Sequence, residues 1–150
     1  MDKGLPIYAD REFTVEFYDV DSMQIVWHGN YIKFFELGRC ELLDKIGYGY
    51  LEMEKSGFGW PVVDIKVKYI RPLMFHQKAR IRTTLVEYEN RLRLSYKIFD
   101  MDGNVLTKGE STQMCVDMRT LQSCFESPTC LTTKVEACLA AIPEPVEVTR

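Results

Sequence analysis

Residues 19–36 read DVDSMQIVWHGNYIKFFE, and the prediction of the fold depends on this stretch. The polar segment at residues 18–22 follows an alternating pattern, and the apolar run at residues 25–27 leads to Asn30. Because asparagine commonly caps the start of helices, the sequence predicts a loop that bends into a helix directly after Asn30.

The predicted helix has one apolar face. Its members recur at spacings of four, three, four and four residues, which places them on one side of a helix: Tyr31, Phe35, Gly38, Leu42 and Ile46. Four glycines between residues 47 and 59 then interrupt the pattern, so the helix should end near Ile46. A short irregular or helical passage is expected over residues 50–55.

The rest of the chain favours β-structure. Alternation of apolar and polar side chains, bounded by turn residues, predicts five strands at residues 11–17, 62–69, 80–88, 91–100 and 105–118. The helix follows the first strand, and mostly tight connections join the later ones. This order predicts an α+β domain with a largely antiparallel sheet and one buried helix.

Length and composition limit the class of protein. A chain of 150 residues predicts a single domain over residues 1–150, with its core at about 11–118 and a tail at 119–150 that contains a short helix at 132–142. The formal net charge of −3 comes without a dense basic stripe, so we expect no nucleic-acid partner. No apolar run is long enough to span a membrane, and the first residues lack the apolar centre of a signal peptide, which favours a soluble, cytoplasmic protein.

Cysteines and histidines are few and scattered. The five cysteines form an odd set without a C-x-x-C pair, which suits reduced thiols better than a disulfide framework. The two histidines, His28 and His76, have no His or Cys at helical spacing. The sequence therefore predicts no metal site.

Residues 19–36 strongly resemble the signature of the 4-hydroxybenzoyl-CoA thioesterase family, which is roughly D-x-D-x-x-G-x-V-[YW]-[HY]-x-x-Y-x-x-[FW]-[FL]-[ED]. The resemblance runs from about residue 11 to residue 117. It implies a hotdog fold, in which a mostly antiparallel five-stranded sheet wraps one long central helix, and it implies an acyl-CoA thioesterase that needs no cofactor. Gln24 stands where the family usually has glycine, which implies an altered loop or acyl pocket.

The resemblance also implies a set of site residues. Asp21 corresponds to the catalytic carboxylate, which would either activate water or attack the thioester carbonyl. The amides around His28 and Gly29 lie at the predicted start of the helix, where free N–H groups favour a developing oxyanion. In the resembled family a main-chain amide at the His28 position has this role, and the side chains of Trp27, His28 and Tyr31 would line the acyl pocket.

Each of these assignments has an alternative. Asp21 is also a residue type that caps turns, and His28 could contribute only its backbone. Glu36 is a second candidate for the catalytic carboxylate, since other hotdog thioesterases use a helix glutamate. Several basic residues could neutralise the phosphates of CoA, and Arg91, at a predicted turn, is the preferred one among Lys66, Lys68, Arg71, Arg91 and Arg93.

Partners and function follow from the same resemblance. Hotdog domains generally pair sheet edges with the active site at the subunit boundary, so we expect a homodimer or a homotetramer in which residues 61–65 of the partner complete the acyl pocket. An acyl-CoA is the expected substrate, with its acyl chain unspecified. Two alternatives are a hotdog dehydratase or hydratase and a non-catalytic acyl-CoA-binding protein, the latter supported only by Gln24.

Overall fold

The computed structural model describes residues 4–142 and contains one five-stranded antiparallel sheet with a long helix packed against it. The strands run in the order β1-β4-β5-β6-β3, which confirms the predicted hotdog arrangement. The elements in chain order are β1 (Tyr8–Thr14), α1 (Tyr31–Ile46), α2 (Tyr50–Ser56), β2 (Phe58–Gly59), β3 (Val62–Tyr69), β4 (Lys78–Glu87), β5 (Leu92–Asp100), β6 (Val105–Gln113), β7 (Val116–Asp117), β8 (Gln122–Ser123) and α3 (Thr129–Ala141).

The apolar face of α1 forms the centre of the core, as the spacing predicts. All five residues of that face are buried, and the ring of Phe35 stacks on Tyr96 of β5 with centroids 4.3 Å apart. Gly109 of β6 allows this close approach, because a Cβ atom there would lie 2.3 Å from Phe35 Cζ. The helix ends at Gly47, whose φ of +90° is the left-handed value that glycine adopts without strain.

The segment from the first strand to the start of α1 differs from the sequence prediction in two respects. The first strand covers Tyr8–Thr14 instead of residues 11–17, because the chain turns away from the sheet in a short 3₁₀ helix at Phe17–Asp19. The side chain of Asn30 does not cap α1, since its Nδ2 donates to Asp19 O at 2.8 Å. Its role is instead to tie the start of the helix to the preceding loop.

The strand predicted at residues 105–118 is interrupted. It leaves the main sheet after Gln113, where Met114 N–H donates to Pro61 O, and continues as β7 in a second, three-stranded sheet of order β2-β7-β8. The tail then returns across the domain, and α3 buries Leu131 and Val135 completely. The described part of the tail is therefore packed into the fold, and its helix begins three residues earlier than predicted.

No helix within residues 4–142 is long and apolar enough to cross a membrane. All five cysteines are free thiols.

Candidate active site

The loop before α1 is held by Asp19, the first aspartate of the quoted stretch. Its side chain is buried, accepts the Glu16 N–H at 2.9 Å and forms an ion pair with Lys33. Its carbonyl oxygen accepts the Trp27 N–H at 3.1 Å in addition to the Asn30 amide. Asp19 thus fixes both ends of the loop, which is a structural role.

Asp21 lies in a tight turn that uses only one of its carboxylate oxygens. Oδ1 accepts the N–H of Met23 at 2.8 Å and that of Ile25 at 3.4 Å. Oδ2 has no hydrogen-bond partner within residues 4–142. Oδ1 therefore caps the turn, as the alternative for Asp21 predicts. Oδ2 is held by the same turn and is free to act on a substrate.

Gln24 closes this turn in a left-handed conformation. Its φ is +64°, and its N–H donates to Asp21 O at 3.0 Å. A left-handed φ is the reason a glycine suits this position. The turn therefore has the geometry that a glycine would give it, and Gln24 supplies no support for a rearranged loop.

Asp21, His28 and Tyr31 meet at one cleft of about 410 Å³. The end of β3 and the segment after it form the opposite wall. The cleft is lined by Asp21, Ile25, Val26, His28, Tyr31, Tyr69, Ile70, Arg71 and Pro72. Three of the predicted site residues thus come together, and Tyr69 joins them from a strand 41 residues away from His28.

His28 begins a 3₁₀ turn at His28–Asn30 that continues directly into α1. The N–H groups of His28 and Gly29 have no acceptor within the part of the chain that the structure describes. His28 O accepts the Tyr69 hydroxyl at 2.9 Å. The amide dipoles of the helix point their positive ends at this turn, so it favours a negatively charged oxygen.

Tyr31 contributes a neutral, well-anchored wall to the cleft. Its hydroxyl accepts the Leu73 N–H at 3.3 Å, and burial raises the pKa of Tyr31 above the ordinary phenol value. The hydroxyl therefore stays protonated at neutral pH. The ring lies edge-on to Tyr69 with centroids 4.9 Å apart.

Trp27 and Gly29 flank His28 in the turn before α1. The Trp27 ring covers Gly29 so closely that a Cβ at Gly29 would be 2.1 Å from it, and it lies 4.9 Å from the His28 ring. The Trp27 side chain does not line the cleft, contrary to the prediction for it, and Gly29 offers only its backbone, next to the cleft-lining His28.

Arg91 and Glu36 lie away from the cleft. Arg91 follows the turn between β4 and β5, where its Nε donates to Glu87 at 2.6 Å, at the opposite end of the strands from Asp21. Glu36 is bound by Arg39 on α1. Among residues 4–142 of the same chain, Arg71 is the only cationic residue that lines the cleft.

A second cavity, of about 430 Å³, lies at the start of β3. Trp60, Pro61, Met53 and Gln113 are among the residues that line it. No group of three or more His, Cys, Asp and Glu side chains within residues 4–142 is arranged to hold a metal ion.

The long helix packed against a five-stranded antiparallel sheet makes this chain a hotdog domain, the fold of many thioester hydrolases. Residues 15–147 match the model of the thioesterase-like superfamily, and the chain belongs to this superfamily. It is 34% identical to a putative acyl-CoA thioesterase, YneP, of Bacillus subtilis over 110 residues, which are 73% of this chain and 80% of the relative.

Two further relatives agree with this assignment. Acyl-CoA thioester hydrolase YbgC of Escherichia coli O157:H7 is 23% identical over 104 residues, which are 69% of this chain and 78% of the relative. Among solved structures, a DHNA-CoA thioesterase from Staphylococcus aureus superposes with a TM-score of 0.76 at 27% identity, covering 93% of this chain and 99% of that chain.

Proposed function

We propose that this protein hydrolyses the thioester of an acyl-CoA to the free acid and CoA, with Asp21 as the catalytic carboxylate. The observation that carries the proposal is the unpartnered Oδ2 of Asp21 in a cleft shared with the His28 turn. The named relatives support an acyl-CoA as the substrate.

The chemistry needs no group beyond these residues and water. In one route Asp21 takes a proton from water as the water oxygen attacks the thioester carbon, and CoA leaves as a thiolate that is then protonated. In the other, Oδ2 attacks the carbon directly and expels CoA as a thiolate that is then protonated, and water hydrolyses the resulting anhydride to the free acid and the Asp21 carboxylate. In both routes the carbonyl oxygen becomes negative, and the free amides of His28 and Gly29 stabilise it, each by about 3 kcal/mol in a dry site.

Cations near the cleft would hold the phosphates of CoA. Arg71 lies on the cleft wall and is placed to meet them from the same chain. Arg91 points to the other end of the sheet, so it could contact a bound CoA only from a partner chain.

A homodimer would complete the site. β3 is an edge strand that pairs only with β6 in the described chain, and it exposes Val62, Val63 and Tyr69. Antiparallel pairing of β3 with a second β3 would place residues 61–63 of one chain beside residues 68–70 of its partner. The second cavity of one chain would then adjoin the cleft of the other and accept the acyl group, in a dimer or in a tetramer of two dimers.

The five free thiols suit a reducing compartment, and we place the enzyme in the cytoplasm on this ground.

A thiol-release assay across short, medium, long and aromatic acyl-CoAs tests the proposed activity. We expect release of CoA from at least one class, with the preferred class identified by its kcat/KM. Binding of acyl-CoA without any thiol release would favour the non-catalytic alternative and would contradict the proposal.

A further inference from the structure

The hydroxyl of Tyr69 makes a contact that neither catalytic route uses. Tyr69 is the last residue of β3, and its hydroxyl donates to His28 O at 2.9 Å. Its ring meets the buried ring of Tyr31 edge-on, at an interplanar angle of 82°. A strand of the main sheet and a core residue therefore hold this hydroxyl against the His28 turn.

The peptide groups on both sides of His28 are fixed through their carbonyl oxygens. Trp27 O accepts the Asn30 N–H at 2.9 Å within the 3₁₀ turn, and His28 O accepts the Tyr69 hydroxyl. A trans peptide group is planar, so a bond to its carbonyl oxygen also fixes the direction of the N–H across the same plane. The two N–H groups fixed in this way belong to His28 and Gly29, the proposed oxyanion donors.

Only one of these two bonds comes from outside the turn. The Asn30 bond is local and forms whenever the 3₁₀ turn forms, whereas the Tyr69 bond ties the turn to the sheet. Donation to His28 O also polarises that peptide group, which makes the Gly29 N–H a stronger donor.

We propose that Tyr69 is a positioning residue for thioester hydrolysis, whose hydroxyl sets the orientation of the Gly29 amide, one of the two proposed oxyanion donors. The inference rests on the proposed function. It adds a residue that lies outside the stretch at residues 19–36 and that acts on the proposed oxyanion donor through the backbone of His28.

Tyr69→Phe tests the role because it keeps the ring and its contact with Tyr31 and removes only the hydroxyl. With the best acyl-CoA of the thiol-release assay, we expect kcat to fall by about tenfold to a hundredfold, less than the loss of a direct oxyanion donor, while KM changes by less than about twofold. In ¹⁵N-labelled protein the amide resonances of His28 and Gly29 should shift.

The matched control is Tyr18→Phe, since Tyr18 is exposed and its hydroxyl has no partner in the described chain. This control should match the parent.

The outcomes separate the inference from the function on which it rests. An unchanged kcat in Tyr69→Phe, or a raised KM with kcat unchanged, would overturn the positioning role while the thioesterase proposal stands. No thiol release by the parent from any acyl-CoA would overturn the proposed function itself. If Tyr69→Phe melts well below the parent, its NMR spectrum is recorded at a temperature where the variant is folded. Amide resonances of His28 and Gly29 that do not shift under these conditions would also overturn the positioning role.

Discussion

At Gln24, where the sequence departs from the family pattern, the backbone adopts the conformation that is typical of glycine. A residue other than glycine was expected to reshape the loop before α1, yet the chain adopts the left-handed φ of +64° and forms the turn around Asp21. The difference from glycine is therefore a local energetic cost and not a different loop.

Gln24→Gly should stabilise the protein. Relief of the left-handed strain gains about 1–2 kcal/mol, and the greater freedom of glycine in the unfolded chain removes roughly 0.5–1 kcal/mol of that gain. We expect a net increase of about 0.5–1 kcal/mol in the free energy of unfolding, measured by urea denaturation. The neighbouring exposed change Met23→Gly, at a residue without a positive φ, is the control and should destabilise; equal effects of the two changes would contradict this account.

At the scale of elements, Asp10 joins the first strand to the rest of the sheet. Its carboxylate accepts bonds from Arg82 at 2.8 and 2.9 Å and from Arg80 at 2.7 Å, which ties β1 to β4. Hydrogen bonds from Arg82 outweigh the effect of burial and hold the pKa of Asp10 below its usual value.

This lowered pKa gives the stability a pH dependence of known sign. The carboxylate stabilises the fold above the ordinary pKa of 3.8, and the stabilisation is lost as the pH falls through the lower folded value. Because these groups are partly exposed, the effect should be at most about 1 kcal/mol. Asp10→Asn should lower the melting temperature at pH 7 and match the parent at about pH 2, as measured by circular dichroism; an equal difference at both values would refute it.

The exposed edge of β3 gives a second prediction for an element. Val63 is 57% exposed on this edge, where the proposed dimer forms. Val63→Lys should shift the protein toward monomer in light scattering, because a charge on the edge disfavours strand pairing. Lys55→Gln on α2 is a control that should keep the oligomeric state of the parent. A parent that is monomeric at all concentrations would contradict the shared site.

These elements show what the sequence could predict. Periodicity located α1 and β3, because one face of each carries a repeating pattern, and the residues that flank each pattern placed its ends. The short strands β2, β7 and β8 were missed because two residues carry no period. Tyr69 was missed as a site residue for a different reason: only the strand order, with β3 at the edge beside β6, brings its hydroxyl to His28.

At the scale of the whole molecule, the outer face of the sheet carries a row of cations. Pairing register places Arg82, Lys97, Lys108 and Lys68 directly opposite one another across β4, β5, β6 and β3. Asp10 neutralises Arg82, whereas the three lysines form no ion pair within residues 4–142. In the sequence these residues are only polar positions on the solvent-facing sides of four separate strands. The row could not be predicted from the sequence, because it depends on the register in which the strands pair.

Lys108→Gln should stabilise the fold at low ionic strength. Like charges directly opposite one another on neighbouring strands are destabilising, and removal of the central charge should gain roughly 0.5 kcal/mol. The gain should largely vanish at about 1 M salt, where the screening length is about 3 Å. Melting temperatures at the two salt concentrations check this, with Lys78→Gln, whose Nζ lies 3.5 Å from Glu12, as a control that should not stabilise. A gain that is independent of salt would argue against repulsion.

The central claim concerns Asp21, and Asp21→Asn tests it most directly. An asparagine Oδ1 can accept the same N–H groups of Met23 and Ile25, so the turn should be kept while the negative charge is lost. For the best acyl-CoA we predict a fall in kcat of about a hundredfold or more, with acyl-CoA binding and the melting temperature close to those of the parent. An Asn variant with the kcat of the parent would show that Asp21 only caps its turn.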